Sequence, residues 1–364
     1  MSRILITGIC GFVGSTLAGR LIESGHTVLG IDNLIRPGSA RNRADLIRQS
    51  ISVTHGDIRN PSDLHTIPQV DWVIDAAANA SVIAGVDGRT SSQQLVEHNL
   101  LGTINLLEYC KAHQAGFILL STSRVYSIKP LAGLALTHDS GSGRNRLSPD
   151  PSSQTPPLPS GLTNLGIREG FSTSPPISLY GATKLASEQL ALEYGDAFQF
   201  PVWINRCGVM AGAGQFAQPA QGIFAFWIHS FREGRPLKYI GFGGHGHQVR
   251  DCLHPSDLLP VIKKQLVEPL ETVKPRISNF SGGLENSASL AELSSWCKSR
   301  FPDSTTSVSS SPESRSYDLP WVVLDSTQAD RVWDWRPVTK IHSVCEELAS
   351  FADSHPDWLK TTSN

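Results

Sequence analysis

Three glycines near the N-terminus constrain this chain more than any other feature. Gly8, Gly11 and Gly14 stand between a buried-strand pattern at 3–7 and a helical pattern at 14–24. Glycine lets the chain turn tightly and brings backbone amides close to a phosphate at the start of the helix. A strand, a glycine turn and a helix in this order predict a dinucleotide-binding unit, with Phe12 and Val13 in the same turn. An ordinary glycine turn without a ligand is the alternative.

Short apolar runs alternate with helical patterns over the first 130 residues. This alternation predicts an α/β fold with a doubly wound parallel sheet, the Rossmann arrangement. Further strands are predicted at 27–31, 52–55, 72–75, 117–121 and 202–206, and helices at 93–113, 179–194 and 221–232. We expect residues 1–206 to form mainly the cofactor-binding domain and residues 207–364 a smaller, interleaved C-terminal substrate-binding subdomain.

Residues 131–178 are rich in serine, proline and glycine. A segment of this composition buries little apolar surface, so a long mobile excursion that acts as a lid is predicted.

Composition limits the class of partner. The 364 residues carry a formal charge of −2, which gives no basic field for nucleic acid or a membrane surface. The chain starts directly with a strand pattern and has no apolar run of membrane-spanning length, which predicts a cytoplasmic protein with a small-molecule partner. The six cysteines are scattered, so buried free thiols are expected. No metal is expected, because His245 and His247 have no third ligand nearby in sequence.

Asp32 ends the second predicted strand, about 20 residues after the glycine turn, where a carboxylate accepts hydrogen bonds from ribose hydroxyls. The same carboxylate repels a 2′-phosphate, which favours NAD over NADP, although the nearby Arg36 works against that preference. Other candidate cofactor contacts follow the second, third and fourth strands; they are Asn33, Asp57, Ile58, Ala76, Ala77 and Ala78.

A second motif, Tyr180-Gly181-Ala182-Thr183-Lys184, places a phenol and an amine one helical turn apart. Free tyrosine has a pKa near ~10, so its use as a base at pH ~7 requires about 4 kcal/mol of stabilisation of the phenolate. Lys184 and the positive ring of an oxidised nicotinamide supply such stabilisation. Thr122, at the end of a predicted strand, adds a hydroxyl for the substrate oxygen. A Tyr/Lys pair on an exposed helix surface is the alternative interpretation.

These residues, in this order, resemble the extended short-chain dehydrogenase/reductase family, which contains nucleotide-sugar epimerases and dehydratases. The segments that carry the resemblance are 7–14, 99–108, 180–184, 205–206, 250–258 and 333–337. The resemblance implies that Thr122, Tyr180 and Lys184 are catalytic, that Tyr180, Lys184 and Asn99 also lie at the NAD, and that the chain forms dimers or tetramers through the helices at 93–113 and 179–194.

Within that family, segments 32–39, 212–216, 221–224, 239–244 and 248–251 are similar to the epimerases that act at C2 of CDP-linked 3,6-dideoxyhexoses. In one departure, the substrate loop has the alanine-rich turn 217–220 before Gln221-Gly222, where that group carries an acidic residue. In dehydratases Asp-Glu follows the threonine, whereas Ser123-Arg124 follows Thr122 here, which favours epimerisation.

Candidate contacts to a nucleotide-sugar substrate, expected to be CDP-linked, follow from the same segments. Arg250 and Asn205 are assigned to the diphosphate, since a guanidinium fork matches phosphate oxygens. An ion pair of Arg250 with Asp251 or Asp257 is the alternative. The full set of candidate substrate contacts is Thr122, Ser123, Asn205, Gln215, Phe216, Gln221, Tyr239 and Arg250.

Three other functions stay open from the sequence. A UDP-hexose 4-epimerase would use the same three catalytic residues at C4, and an oxidoreductase would release NADH. A non-catalytic NAD-binding scaffold is the third, although it would have no need of Tyr180.

Overall fold

The computed structural model describes residues 1–88, 91–138, 145–150, 158–219, 221–313 and 315–362. Its strands are β1 (Arg3–Thr7), β2 (Thr27–Asp32), β3 (Ser52–His55), β4 (Trp72–Asp75), β5 (Gly116–Thr122), β6 (Leu136–His138), β7 (Leu147–Pro149), β8 (Leu162–Thr163), β9 (Gly166–Ile167), β10 (Val202–Cys207), β11 (Leu237–Ile240), β12 (Val249–Asp251), β13 (Ile277–Phe280), β14 (Ser287–Ser289), β15 (Val308–Ser311) and β16 (Trp321–Val322).

The α-helices are α1 (Phe12–Glu23), α2 (Ser39–Arg48), α3 (Pro61–Leu64), α4 (Ser92–Val96), α5 (Gly102–His113), α6 (Ile128–Ala132), α7 (Ser178–Phe198), α8 (Ile223–Arg232), α9 (Leu259–Gln265), α10 (Leu290–Arg300), α11 (Thr327–Trp333), α12 (Ile341–Ser354) and α13 (Trp358–Thr362). A π-helical turn, Glu97–Leu101, joins α4 to α5, and 3₁₀ turns lie at Ser123–Val125, Phe242–Gly244 and Pro255–Leu258.

The central sheet confirms the predicted fold class. Its seven strands pair in parallel in the order β13-β10-β5-β4-β1-β2-β3. Strand order reverses between β1 and β4, and ligands of such sheets bind at the carboxyl ends of the strands around that reversal. The fold therefore predicts that a ligand binds at the loops that follow β1, β2, β4 and β5.

Helices cover both faces of the sheet because the strand residues alternate in direction. Ile4 and Ile6 of β1 belong to one buried apolar cluster, and Leu5 between them belongs to another. Phe117 and Ile118 of β5 divide between the two clusters in the same way. A strand that is buried on both faces is apolar throughout, which is why short continuous apolar runs in the sequence identified these strands.

The C-terminal part of the chain is divided between the central sheet and a second layer. Strand β13 extends the sheet next to β10. Helices α8, α10 and α12 pack around a third apolar cluster that includes Trp227 and Leu348. Two small sheets, β11-β15 and β14-β12-β16, also belong to this layer, and residues of both line the cavity described below.

The expectation that residues 131–178 bury little apolar surface is wrong for the described part. Leu131, Leu162 and Phe171 are buried in one cluster with Trp321. Apolar residues are sparse in this segment, but they meet a partner surface that lies far along the chain, so local composition underestimated their burial. Residues 139–144 and 151–157 of the predicted excursion lie outside the described residues.

All six cysteines are buried free thiols, as expected. Within the described ranges, we find no group of three or more His, Cys, Asp or Glu side chains placed to hold a metal ion. In the same ranges, every helix is too short or too polar to cross a membrane.

Candidate active site

A cavity of about 1160 Å³ lies at the carboxyl ends of the sheet strands. Loops after β1, β2, β4, β5 and β10 form one side, and residues of β11, β12 and the 309–318 segment form the other. Pockets for a single small ligand have volumes of about 300–1,000 Å³. The cavity is therefore larger than the usual range for one small ligand.

The glycine turn forms the floor of this cavity. Gly8 has a φ of +59°, and a Cβ there would lie 2.9 Å from the Cα of Ala77. A Cβ on Gly14 would lie 2.4 Å from the carbonyl oxygen of Gly8. The glycines therefore allow β1, the start of α1 and the turn after β4 to approach one another. Helix α1 begins at Phe12, so the helix N-terminus faces the cavity as predicted.

Thr7 connects the glycine turn to Ala76 and Ala77. Its hydroxyl accepts hydrogen bonds from the amides of both alanines, at 3.2 and 3.1 Å, and donates to Asp75 at 2.7 Å. The small side chains of Ala76, Ala77 and Ala78 line the cavity beside Gly8. This wall is backbone and small side chains held by hydrogen bonds, which lets a dinucleotide approach the backbone closely.

Asp32 ends β2 and is 9% exposed. Its carboxylate accepts the amide hydrogens of Cys10, at 2.9 Å, and Leu34, at 2.8 Å. Burial raises the pKa of Asp32, and those two backbone hydrogen bonds oppose the rise. The carboxylate lines the cavity where the hydroxyls of a ribose would lie beside the glycine turn.

Asn33, Asp57 and Ile58 line the same end of the cavity. The amide of Asn33 donates to Asp57 at 3.0 Å, and Arg59 forms an ion pair with Asp57 at 2.7 Å. Burial would raise the pKa of Asp57, but hydrogen bonds from Arg59 and Asn33 outweigh it and hold the pKa well below its usual range. Asp57 is thus a charged acceptor at the end of the cavity where the adenosine is predicted to lie.

Thr122 and Tyr180 meet at the centre of the cavity. Thr122 is the last residue of β5, Tyr180 lies in the first turn of α7, and their side chains form a hydrogen bond. Burial raises the pKa of Tyr180, while Thr122 and the nearby Arg124 lower it. Tyr180 is buried in the cavity wall and so does not lie on an exposed helix surface, which was the alternative interpretation.

Lys184 and Asn99 lie behind that wall and do not line the cavity. Lys184 is 1% exposed; burial lowers its pKa, and Asp75 and Glu188 raise it. The amide of Asn99 donates to the carbonyl of Asn79 at 3.1 Å and accepts the amide hydrogen of Asn79 at 2.8 Å. Asn99 therefore holds the loop after β4, and the contacts of Asn99 and Lys184 with the cofactor stay predictions.

Two predicted substrate contacts, Asn205 and Tyr239, lie away from the cavity. Asn205 is fully buried and exchanges two hydrogen bonds with Gln265, at 3.0 and 2.8 Å. The hydroxyl of Tyr239 bonds Ser294 at 2.7 Å, and its ring stacks on Trp227. Side chains alternate along a strand, so Lys238 and Ile240 face the cavity instead of Tyr239.

The other predicted substrate residues do meet at the cavity. Ser123, Gln215, Phe216, Gln221 and Arg250 all line it, and so does Arg36. Arg250 forms an ion pair of 2.6 Å with Asp318, which also lines the cavity, rather than with Asp251 or Asp257.

Sequence reasoning missed many polar residues of the cavity, among them the charged residues Arg124, Lys238, Arg315 and Asp318. Arg124 was noted in the sequence next to Thr122, but only because it stands where a dehydratase has an acidic residue. Lys238 lies in one segment, Arg315 and Asp318 lie close together in another, and no motif marks either segment. Together they make the side of the cavity opposite the glycine turn rich in cations.

The fold, the glycine turn and the buried Thr122–Tyr180 pair define a dinucleotide-dependent enzyme of the α/β class. More specifically, the chain belongs to the NAD dependent epimerase/dehydratase family, whose model matches residues 4–148 and 152–280. NAD is therefore its cofactor, and the expected NAD-dependent epimerase is confirmed at the level of the family.

Curated relatives narrow the comparison. The chain is 28% identical to CDP-paratose 2-epimerase of Salmonella typhi over 302 residues, which cover 80% of this chain and 82% of the relative. It is 24% identical to the UDP-glucuronate 4-epimerase of Thermodesulfobacterium geofontis over 99% of both chains.

Solved structures agree with the fold. Pal from Bacillus thuringiensis superposes with a TM-score of 0.75 at 21% identity, covering 97% of this chain and 99% of that one. The UDP-glucuronic acid 4-epimerase of Bacillus cereus, solved with UDP-glucuronic acid and NAD, gives 0.73 at 24% identity with the same coverage.

Proposed function

We propose that this protein epimerises a nucleotide sugar, acting at C2 of a CDP-linked 3,6-dideoxyhexose such as CDP-paratose or CDP-tyvelose. The observation that carries the proposal is the hydrogen-bonded Thr122–Tyr180 pair, which lines one cavity. One side of this cavity is formed by the glycine turn, where the cofactor is predicted to bind, and the opposite, cation-rich side is called the cationic wall below. A reacting sugar carbon placed there would lie beside the base, and the residues of the glycine turn would hold the NAD on the other side.

Tyr180 acts as the base. Its phenolate oxygen takes the proton from the sugar hydroxyl, and Thr122 holds that hydroxyl in place. NAD, when bound beside the glycine turn, would supply the reversible hydride acceptor that an epimerisation without net redox change needs. Tyr180 then gives the proton back to the oxygen, so the reaction has no net redox change and NAD remains bound.

The cationic wall binds the diphosphate. The Arg250 guanidinium is held by Asp318, and the Arg315 guanidinium donates to the carbonyl of Pro219 at 3.1 Å. Lys238 faces the same space. Two oriented guanidinium groups match the oxygens of a diphosphate, and each fork is already ordered before the substrate arrives.

Epimerisation fits this cavity better than dehydration. Elimination of water needs an acid and a base beside the reacting carbons, and Ser123 and Arg124 occupy the positions after Thr122. A serine and an arginine do not exchange protons readily near neutral pH. The keto-sugar formed at Tyr180 is thus expected to return to the hydroxyl form.

A second candidate is a UDP-hexuronate 4-epimerase. The guanidinium of Arg124 lies beside Tyr180 at the sugar end, where it would pair with a sugar carboxylate. UDP-glucuronate 4-epimerases among the relatives give this alternative further support. The CDP-linked substrate is preferred because the relative that acts on it has the higher identity.

A homodimer is part of the proposal. Val96 and Leu101, on the α4–α5 helix, and Leu179, at the start of α7, are exposed apolar side chains on neighbouring helices. A second copy of the chain would bury them. Light scattering of the purified protein tests this, and a monomer at assay concentration would refute it.

The activity test incubates the protein separately with CDP-paratose, CDP-tyvelose, UDP-glucose and UDP-glucuronate, and follows the sugar stereochemistry by proton NMR. Interconversion of the two CDP-sugars is expected, with no NADH accumulating in solution. Turnover of UDP-glucuronate alone would move the assignment to the second candidate. Accumulation of NADH would make the protein an oxidoreductase, and no turnover in any sample would refute both epimerase assignments.

A further inference from the structure

Arg124 is fixed beside the two residues of the proposed catalytic pair. It lies in the 3₁₀ turn Ser123–Val125, and its amide donates to the hydroxyl oxygen of Thr122 at 3.2 Å. Its carbonyl oxygen lies where a Cβ on Gly181 would approach to 2.2 Å, so the turn packs directly on α7 beside Tyr180. The backbone of Arg124 therefore has little freedom to move relative to Tyr180.

The guanidinium of Arg124 points into the cavity at the sugar end. It donates to the carbonyl of Tyr317 at 3.4 Å and faces a second cation, Arg250, with Asp318 close by. Burial and the charge of Arg250 lower the pKa of Arg124 to about 10. Arg124 therefore remains charged near neutral pH even though its surroundings oppose the charge.

The two cations near Tyr180 have different surroundings. Lys184 faces the carboxylates of Asp75 and Glu188, which offset its charge. Tyr180 itself faces Thr122 and Arg124, with the thiol of Cys207 nearby. Arg124 is thus the cation on the cavity side of the phenol. Asp318 and Asp251 are the acids that face Arg124.

We propose that Arg124 is a positioning residue for the proton-transfer step. Its guanidinium charge favours the anionic form of Tyr180, which accepts the proton of the sugar hydroxyl. This inference rests on the proposed function, because it takes Tyr180 as the base. Arg124 forms and breaks no bond. The proton passes between the sugar oxygen and the phenolate oxygen of Tyr180, and the guanidinium stabilises the anionic form of the phenol before that transfer.

The test measures ionisation of Tyr180 without any substrate. Phenolate absorbance of the NAD-loaded protein is titrated with pH, and the curve of Tyr180→Phe is subtracted to isolate Tyr180. In Arg124→Gln we expect the midpoint to rise by about one pH unit or more, because a nearby opposite charge is lost. Arg124→Lys keeps the charge and should restore most of the shift.

Arg124→Met is a second neutral variant, in case the glutamine variant does not fold. Circular dichroism and the NAD content show whether each variant keeps its structure. The matched control is Arg315→Gln, which removes another cavity cation that is not among the neighbours of Tyr180; its midpoint should match the unmodified protein. Unchanged midpoints in both neutral Arg124 variants would overturn the inference.

Activity is a separate readout. We also measure kcat against pH with the nucleotide sugar that the protein turns over. In Arg124→Gln the rising limb of this profile should shift to higher pH by the same amount as the phenolate midpoint. A loss of activity at every pH, without a shift of the limb, would mean a merely structural role. If Tyr180→Phe retained full activity, the proposed function itself would fail, whatever the Arg124 variants do.

Discussion

The guanidinium of Arg36 donates a 2.8 Å hydrogen bond to the side-chain oxygen of Gln221. Arg36 follows β2, at the end of the cavity predicted to hold the adenosine, and Gln221 belongs to the loop predicted to bind the substrate. The same guanidinium lies 5.7 Å from the centre of the Phe216 ring. Two loops from distant parts of the chain therefore close over one end of the cavity.

This closure predicts slow release of the cofactor. In Gln221→Ala we expect NAD to dissociate about tenfold faster, since a hydrogen bond to a charged group contributes about 1.5–3 kcal/mol. Native mass spectrometry after buffer exchange measures the NAD that remains. Gln218→Ala, a change in the same loop at another cavity residue, is the control and should retain NAD. Equal loss from both variants would contradict the closure.

Removal of the proposed base should separate chemistry from binding. Tyr180→Phe deletes only the hydroxyl that bonds Thr122, so turnover should fall by about 10²–10⁴-fold. The NAD content should not change, because the ring remains in the wall. Turnover is followed by NMR, and bound NAD by mass spectrometry. A variant that loses both together would show that Tyr180 holds the cofactor.

Asp32 should govern the choice of dinucleotide. We expect Asp32→Asn to weaken NAD binding and to narrow the preference for NAD over NADP, because Arg36 is then the dominant charge near a 2′-phosphate. Titration calorimetry of cofactor-free protein with each dinucleotide measures both effects. Asp45→Asn changes an acid on α2 that pairs with Arg48, and it serves as the control. If the ratio of the affinities for NAD and NADP did not change, Asp32 would not be a ligand of the ribose.

The buried ion pair that joins α7 to β10 should be important for stability. Glu188 and Arg206 are 0% and 4% exposed and lie 2.6 Å apart, and the hydroxyl of Ser121 also donates to Glu188. Glu188→Gln leaves a buried guanidinium without its anion, and we expect unfolding in urea to cost about 3–5 kcal/mol less. Glu23→Gln breaks an exposed pair with Arg20 and should change stability by less than about 1 kcal/mol.

Because α7 packs directly on the turn at Arg124, we expect that the protein does not tolerate a methyl group added at Gly181. In Gly181→Ala the new Cβ would lie 2.2 Å from a carbonyl oxygen, so α7 must move and Tyr180 with it. We expect a loss of about 1–3 kcal/mol in the free energy of unfolding and a larger loss of turnover. Gly170→Ala meets nothing within 4 Å and is the control. Wild-type turnover in Gly181→Ala would contradict the packing.

The sequence by itself determined the α/β class and one wall of the cavity. Strand burial, the turn at Gly8 and Gly14, the acid at Asp32 and the spacing of Tyr180 depend on interactions within one short segment, and such interactions leave periodic or motif-like patterns. Predicted and observed strand bounds accordingly differ by no more than a residue at either end, as at β2 and β5.

Only the tertiary structure decided the opposite wall and the direction of several side chains. Asn205 turned to Gln265, Tyr239 packed on Trp227, and Leu162 and Phe171 found a buried partner surface in the C-terminal half. Whether a strand residue faces a cavity depends on what packs on each face of the strand, and that neighbour lies far away in sequence. Alternation shows that two successive residues face opposite ways, but not which of them faces the ligand.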